Sequence, residues 1–165
     1  MSQRNRLSVL VVEDRLEEAF PLAALLSADG NDVRIAADGQ AALSKVLTQL
    51  PDVLVLDLGL PKLDGLEVAA AVRRVGLPWR PWILAVSGHD EQWVLDKAIA
   101  AGIDAYFVKP VALGELRALL GSLSPVRDTA TKEHGKGESR EGGTGSRRRP
   151  GRSGFRLYQP AVHAN

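Results

Sequence analysis

The chain has no cysteine in its 165 residues, which excludes a disulfide framework and any thiolate metal site. It also has no long apolar run. Arg4 and Arg6 precede an apolar stretch at 7–12 that stops at Glu13, too short for the core of a signal peptide. No later run approaches the length of a membrane span. The expected address is therefore cytoplasmic. No internal repeat is visible.

Net charge is nearly absent, at +1, but the balance is uneven along the chain. Residues 1–124 carry 12 Lys and Arg against 16 Asp and Glu, a net −4, and residues 125–165 carry 9 against 4, a net +5. The break falls at Ser124-Pro125. Beyond it Gly, Ser, Arg and Glu dominate, and apolar residues are too sparse to bury a core. The expected organisation is one domain over 1–124 and a disordered basic Gly/Ser/Arg-rich tail over 125–165. That tail is too short and too polar for a folded DNA-binding output domain. Its Arg147-Arg148-Arg149 and Arg152 cluster reads first as a solvated run, although such clusters also bind nucleic acid or anionic membranes. Phe155, Leu157 and Tyr158 offer a short segment for a partner that the sequence does not identify.

Within 1–124, short apolar runs alternate with helix-length amphipathic segments, the pattern of βαβ units and a parallel sheet. Strands are expected at 7–12, 32–36, 53–56, 82–86 and 105–108. Helices are expected at about 16–28, 38–50, 65–75, 91–101 and 112–123. Asp38 suits the start of the second helix and Pro51 its end. Pro21 falls in the second turn of the first helix, where it removes a donor and should kink it. The result is an α/β fold, a doubly wound sheet of five strands flanked by five helices.

Such sheets keep their ligand crevice at the carboxyl ends of the strands, and the apolar runs here end in reactive residues. The first runs into Glu13-Asp14, the third into Asp57, the fourth into Ser87-Gly88 and the fifth into Lys109-Pro110. Three neighbouring carboxylates repel one another unless a cation lies among them. A hard divalent ion such as Mg²⁺ takes carboxylate, carbonyl and phosphate oxygens, and the Gly59 backbone carbonyl could add one. Glu13 and Asp14 alone would equally favour a helix start through its dipole. Lys109 is either an ion-pair partner or a phosphate ligand, and its following Pro invites a cis peptide. Together the groups describe a phosphoryl site, for which positioning and charge neutralisation suffice.

Four stretches carry a family resemblance: Val9-Leu10-Val11-Val12-Glu13-Asp14, Val55-Leu56-Asp57-Leu58-Gly59-Leu60-Pro61 with Asp64-Gly65, Ala85-Val86-Ser87-Gly88, and Ala105-Tyr106-Phe107-Val108-Lys109-Pro110. In order and spacing the chain resembles a response regulator receiver domain over roughly 6–123. The resemblance implies a flavodoxin-like sheet of order 2-1-3-4-5. It implies that Asp57 accepts a phosphoryl group from a histidine kinase or histidine phosphotransfer protein, and that Glu13, Asp14, Asp57 and the Gly59 carbonyl hold Mg²⁺. Ser87 and Lys109 would bind phosphoryl oxygens, and Tyr106 would be the switch aromatic that follows Ser87. The output face would then comprise the helices at 91–101 and 112–123 with the strand at 105–108. The protein would catalyse its own Mg²⁺-dependent phosphorylation and dephosphorylation rather than act as an enzyme on another substrate. It would signal by protein contacts, as a single-domain, chemotaxis-type regulator.

Arg15 departs from the commonest family pattern, in which Asp or Asn is frequent. Ser87 stands where Thr is commoner and keeps the hydroxyl. Gly59 and His89 occupy positions that tune phosphoryl lifetime, although His89 reads first as a solvated turn residue. On the fourth helix the inward stripe is expected to be Val94, Leu95, Ala98 and Ile99, with Trp93 beside Lys97 on an adjoining face. Two other functions compete. A pseudo-receiver would use the fold as a constitutive interaction module, against which stand the intact Glu13, Asp14, Asp57, Ser87 and Lys109. A phosphatase of the haloacid dehalogenase type would need an acid two residues after Asp57, where Gly59 stands. A flavin carrier is disfavoured because no Ser/Thr/Gly-rich phosphate loop follows the first strand.

Overall fold

Continuous apolar runs, unlike alternating ones, belong to strands covered on both faces. The computed structural model describes residues 6–126 and 154–160, and in it the runs at β1, β3, β4 and β5 become such strands, whereas the edge strand β2 carries Asp32 and Arg34 and is only half-buried. The order is β1 (Ser8–Val12), α1 (Leu16–Ala28), β2 (Asp32–Ala36), α2 (Gly39–Gln49), β3 (Val53–Asp57), α3 (Gly65–Arg74), β4 (Trp82–Ser87), α4 (Gln92–Ala100), β5 (Ala105–Val108), α5 (Leu113–Ser122) and β6 (Arg156–Tyr158). All pairings are parallel and the sheet order is β2-β1-β3-β4-β5-β6. The expected 2-1-3-4-5 order holds, with a sixth strand added at its β5 edge.

Side chains alternate between two cores. Leu10, Leu54, Leu56, Ile83, Ala85 and Tyr106 face α2, α3 and α4. Val9, Val53, Val55, Leu84, Ala105 and Phe107 face α1 and α5. The pleat thus places consecutive residues of β5, Tyr106 and Phe107, on opposite sides of the sheet.

Local chemistry sets the helix starts. Asp38 caps α2 as expected, accepting from Ala41 N at 2.7 Å. Asp64 and Glu67 form a reciprocal capping box at α3. Gly65 then lets α3 approach the end of β3, because a Cβ there would lie 2.5 Å from the Asp57 carbonyl oxygen and 2.7 Å from Leu58 Cα. Pro21 sits on the exposed side of α1, which continues on both sides of it.

Three features differ from the sequence expectation. Ile99 is 50 % exposed, because Val94, Leu95 and Ala98 fill the contact of α4 and Ile99 falls beyond the edge of that stripe. Val126 lies past the composition break yet is buried, its N–H donating to Asp52 Oδ1 at 3.0 Å. Residues 154–160 were expected within a disordered tail, but Arg156–Tyr158 pair with β5. A strand of three residues after a long polar stretch leaves too short a pattern to read. The Arg147-Arg148-Arg149 and Arg152 cluster lies outside the described residues.

Candidate functional site

The sheet register brings the strand ends level. Val12 pairs with Leu56, Asp57 with Val86 and Ser87 with Val108, so Glu13, Asp14, Asp57, Ser87 and Lys109 all emerge at one edge. Glu13, Asp14 and Asp57 each offer a carboxylate oxygen, and these three atoms lie within 4.8 Å of one another. Lys109 Nζ is 3.0 Å from Asp57 Oδ2 and 3.9 Å from Glu13 Oε2. The Gly59 N–H donates to Asp57 Oδ1 at 2.7 Å, and the Arg15 N–H donates to Glu13 Oε1 at 3.0 Å. The Lys109-Pro110 peptide is cis.

The two buried acids divide the proton load. Burial, and then its hydrogen bond to Asp57, push the Glu13 carboxyl from 4.5 up to about 8. Burial would raise Asp57 too, but hydrogen bonds from the Glu13 carboxyl, the Gly59 N–H and Lys109 outweigh it and hold Asp57 below its ordinary 3.8. Burial works against the Lys109 charge, and its bonds to Asp57 and Glu18 more than compensate. Asp57 is therefore an ionised carboxylate at neutral pH, half of a nucleophile's requirements met in the resting protein. With its carboxyl pushed up to about 8, Glu13 favours the protonated form at neutral pH, which relieves repulsion from Asp57. Three clustered hard oxygen donors, one of them proton-loaded, fit a divalent ion of the Mg²⁺ type.

Ser87 is buried, and its Oγ accepts from His89 N at 3.2 Å. Tyr106 is fully buried, and its hydroxyl donates to the His89 carbonyl at 2.6 Å. Burial holds that hydroxyl above its ordinary pKa. Ser87 and Tyr106 thus grip the same residue from two sides. The His89 ring turns outward beside Glu91 at 3.4 Å, in keeping with a solvated turn residue. Trp93 lies beside Lys97, whose Nζ is 4.9 Å from its ring, as the helical spacing expects, and its ring is exposed, where the spacing left core-edge packing equally open.

Sequence reasoning missed Glu18, whose Oε2 lies 3.1 Å from Lys109 Nζ. Arg15 in turn pairs with Glu17 at 3.1 Å and Glu18 at 2.9 Å. In the sequence only the i,i+3 spacing of Arg15 and Glu18 hints at this network. Beside these charges lies a cavity of about 650 Å³, whose apolar wall includes Pro21, Leu22, Leu25, Val111 and Leu113.

The fold is a doubly wound parallel α/β sheet with an acid cluster and a lysine at its carboxyl edge. The model of the response regulator receiver domain matches residues 9–121, and the chain belongs to that family. It is 39 % identical over 133 residues to the response regulator MprA of Mycolicibacterium vanbaalenii, covering 79 % of this chain and 54 % of MprA. It is 38 % identical over 110 residues to the alkaline phosphatase synthesis transcriptional regulatory protein PhoP of Bacillus subtilis, covering 67 % and 45 %. The chain thus spans about half the length of these curated relatives. Among solved structures it is similar to the chemotaxis protein CheY4 of Vibrio cholerae, with TM-score 0.66, 28 % identity, and coverage of 70 % of this chain and 96 % of that one. A signal receiver domain from Bermanella marisrubri matches with TM-score 0.60, 36 % identity, and coverage of 68 % and 96 %. No helix among the described residues is long and apolar enough to cross a membrane.

Proposed function

We propose that Asp57 accepts a phosphoryl group from a cytoplasmic histidine kinase or histidine phosphotransfer protein, with Mg²⁺ as cofactor. The observation that carries this reading is the ionised Asp57 carboxylate with Lys109 at 3.0 Å. An Asp57 carboxylate oxygen forms the new O–P bond as the P–N bond of the donor phosphohistidine breaks. The imidazole leaves with the bonding pair and takes up a proton. Lys109, already at the acceptor oxygen, transfers its hydrogen bonding to the phosphoryl oxygens, and Ser87 supplies a hydroxyl from the end of β4. Glu13, Asp14, Asp57 and the Gly59 carbonyl would hold the metal, which supplies charge neutralisation for the transferring group. The same residues let the protein catalyse its own phosphorylation and dephosphorylation.

Output follows from the shared grip on His89. Drawing the Ser87 hydroxyl toward a phosphoryl group removes the acceptor of His89 N, and Tyr106 is hydrogen-bonded to the same residue. Tyr106 is buried in β5 beneath α4, so a change in its bond to His89 would pass a local charge event to the α4–β5–α5 region and a protein target there. Output by protein contacts at that surface is part of this proposal.

Intact mass after incubation with acetyl phosphate and Mg²⁺ tests the reading. One phosphoryl adduct, lost in Asp57→Asn and without Mg²⁺, is expected. Absence of both an adduct and beryllofluoride binding would replace this reading with that of a constitutive interaction module.

A further inference from the structure

A parallel sheet that ended at β5 would expose a row of unpaired backbone groups between α4 and α5. Residues 154–160 cover that edge. The register pairs Ala105 with Arg156, Tyr106 with Leu157 and Phe107 with Tyr158, and Arg156 N donates to the Asp104 carbonyl at 3.2 Å. Two aromatics grip the edge. The Phe155 ring lies 6.5 Å from that of Tyr106, tilted by 48°, and Tyr158 stacks on Phe107 at 4.3 Å and 4°. Phe155 and Tyr158 are three residues apart, so they fall on opposite faces of the pleat. One joins the core under α4 and the other the core under α5. The segment therefore clamps the sheet edge from both sides.

Among the described residues, little else holds it. Arg156 and Leu157 are exposed, the strand is three residues long, and a cavity of about 530 Å³ lined by Ile99, Ile103, Leu119, Leu123 and Phe155 lies beside it. A pair of aromatic anchors with a gap beneath is a grip that another strand of the same chemistry can take over. We propose that the β5 edge is a docking surface for an extended strand bearing aromatic side chains three residues apart, and that residues 154–160 occupy it in cis as a tethered, displaceable occupant. Because residues 154–160 belong to the same chain, their docking is intramolecular, and a free strand must compete with a covalently attached occupant. A free strand is excluded from the intact protein and admitted when the resident grip is broken. This inference does not depend on the chemistry of Asp57.

The test uses the full chain in three forms: wild type, Arg156→Pro, which removes the N–H bonded to Asp104, and Phe155→Ala/Tyr158→Ala, which removes both anchors. Hydrogen exchange is read at the β5 amides that face β6, with β1 and β3 amides as the control for an intact fold. A synthetic peptide of residues 154–160 is then titrated while the Tyr106 and Phe107 amide resonances are followed. In both variants the β5 amides should exchange about tenfold or more faster than in wild type. The peptide should bind both variants saturably, at least about tenfold more tightly than it binds wild type. Equal β5 protection in all three forms overturns the proposal, as does failure of the peptide to bind deprotected variants. Equal peptide binding to wild type would show that the edge is not occupied by the resident segment, and overturns it too. If Arg156→Pro disturbs the control amides, the double-alanine variant decides.

Discussion

Glu18 on α1 reaches Lys109 beyond β5 at 3.1 Å, a contact between residues 91 positions apart in the chain. The lysine is thereby shared between an outer acid and Asp57. Both side chains of the outer pair remain about one-third exposed, at 32 % and 37 %, so Glu18→Gln should cost less than about 1 kcal/mol of stability. It should also leave the Asp57 titration nearly in place. Lys109→Met removes one of the groups that hold Asp57 down against burial, so the Asp57 carboxyl should titrate at clearly higher pH. Carboxyl carbon shifts across a pH series measure both, and an unmoved Asp57 in Lys109→Met would refute the arrangement.

The proton on Glu13 sets a pH dependence. Its carboxyl stands at about 8 in the folded protein against an ordinary 4.5, so in that window the folded state holds a proton the unfolded state lacks. The associated stability is complete below about 4.5 and is lost as pH rises through about 8. Asp57, held below 3.8, works in the opposite sense, and its contribution fades as pH falls through its depressed value. A divalent ion needs the Glu13 carboxylate, so its uptake between about pH 5 and 8 should release about one proton. Mg²⁺ affinity should rise toward tenfold per pH unit across that window. Calorimetry in buffers of differing ionisation enthalpy reads the released proton. Glu13→Gln should flatten the profile, and a flat wild-type profile would sink the assignment.

Gly65 and Gly59 predict different tolerances beside Asp57. A Cβ at position 65 meets backbone at 2.5 and 2.7 Å, whereas one at position 59 meets only Asp57 Oδ1, at 3.3 Å. Backbone cannot yield as a side chain can, so Gly65→Ala should cost about 1–3 kcal/mol or more. Gly59→Ala should fold with nearly unchanged stability and act on Asp57 chemistry instead. Denaturant melts separate the two, and equal melting midpoints would contradict the steric argument.

These cases show what the amino-acid sequence displays and what it hides. The four buried runs of β1, β3, β4 and β5 were legible because strands covered on both faces are apolar throughout, and their polar ends fell at one sheet edge by topology. Asp57, Glu13, Asp14, Ser87 and Lys109 were visible for that reason. Glu18 was not, since its contact with Lys109 exists only after α1 packs beside the end of β5. The Asp64–Glu67 capping box is legible in its D-x-x-E spacing. The sixth strand escaped because its anchors make sense only against Tyr106 and Phe107, on the other side of a 27-residue stretch (127–153). Ile99 misled because helical spacing marks the centre of a buried stripe better than its edge.

Tyr106 and Ser87 bond the same residue, and this sharing makes a coupling measurable. The Tyr106 hydroxyl donates to the His89 carbonyl at 2.6 Å, and Ser87 Oγ accepts from His89 N at 3.2 Å. Each bond fixes the geometry on which the other depends, so Tyr106→Phe and Ser87→Ala should not act independently. Each single substitution should cost about 0.5–1.5 kcal/mol. Once either bond is gone the loop at His89 is already loosened, so the double variant should lose less than the sum, by about 0.5 kcal/mol or more. Chemical denaturation of the four proteins closes the cycle. Strict additivity would mean that His89 does not connect the end of β4 to Tyr106, and the proposed route from Asp57 to the α4–β5–α5 face would have to run elsewhere.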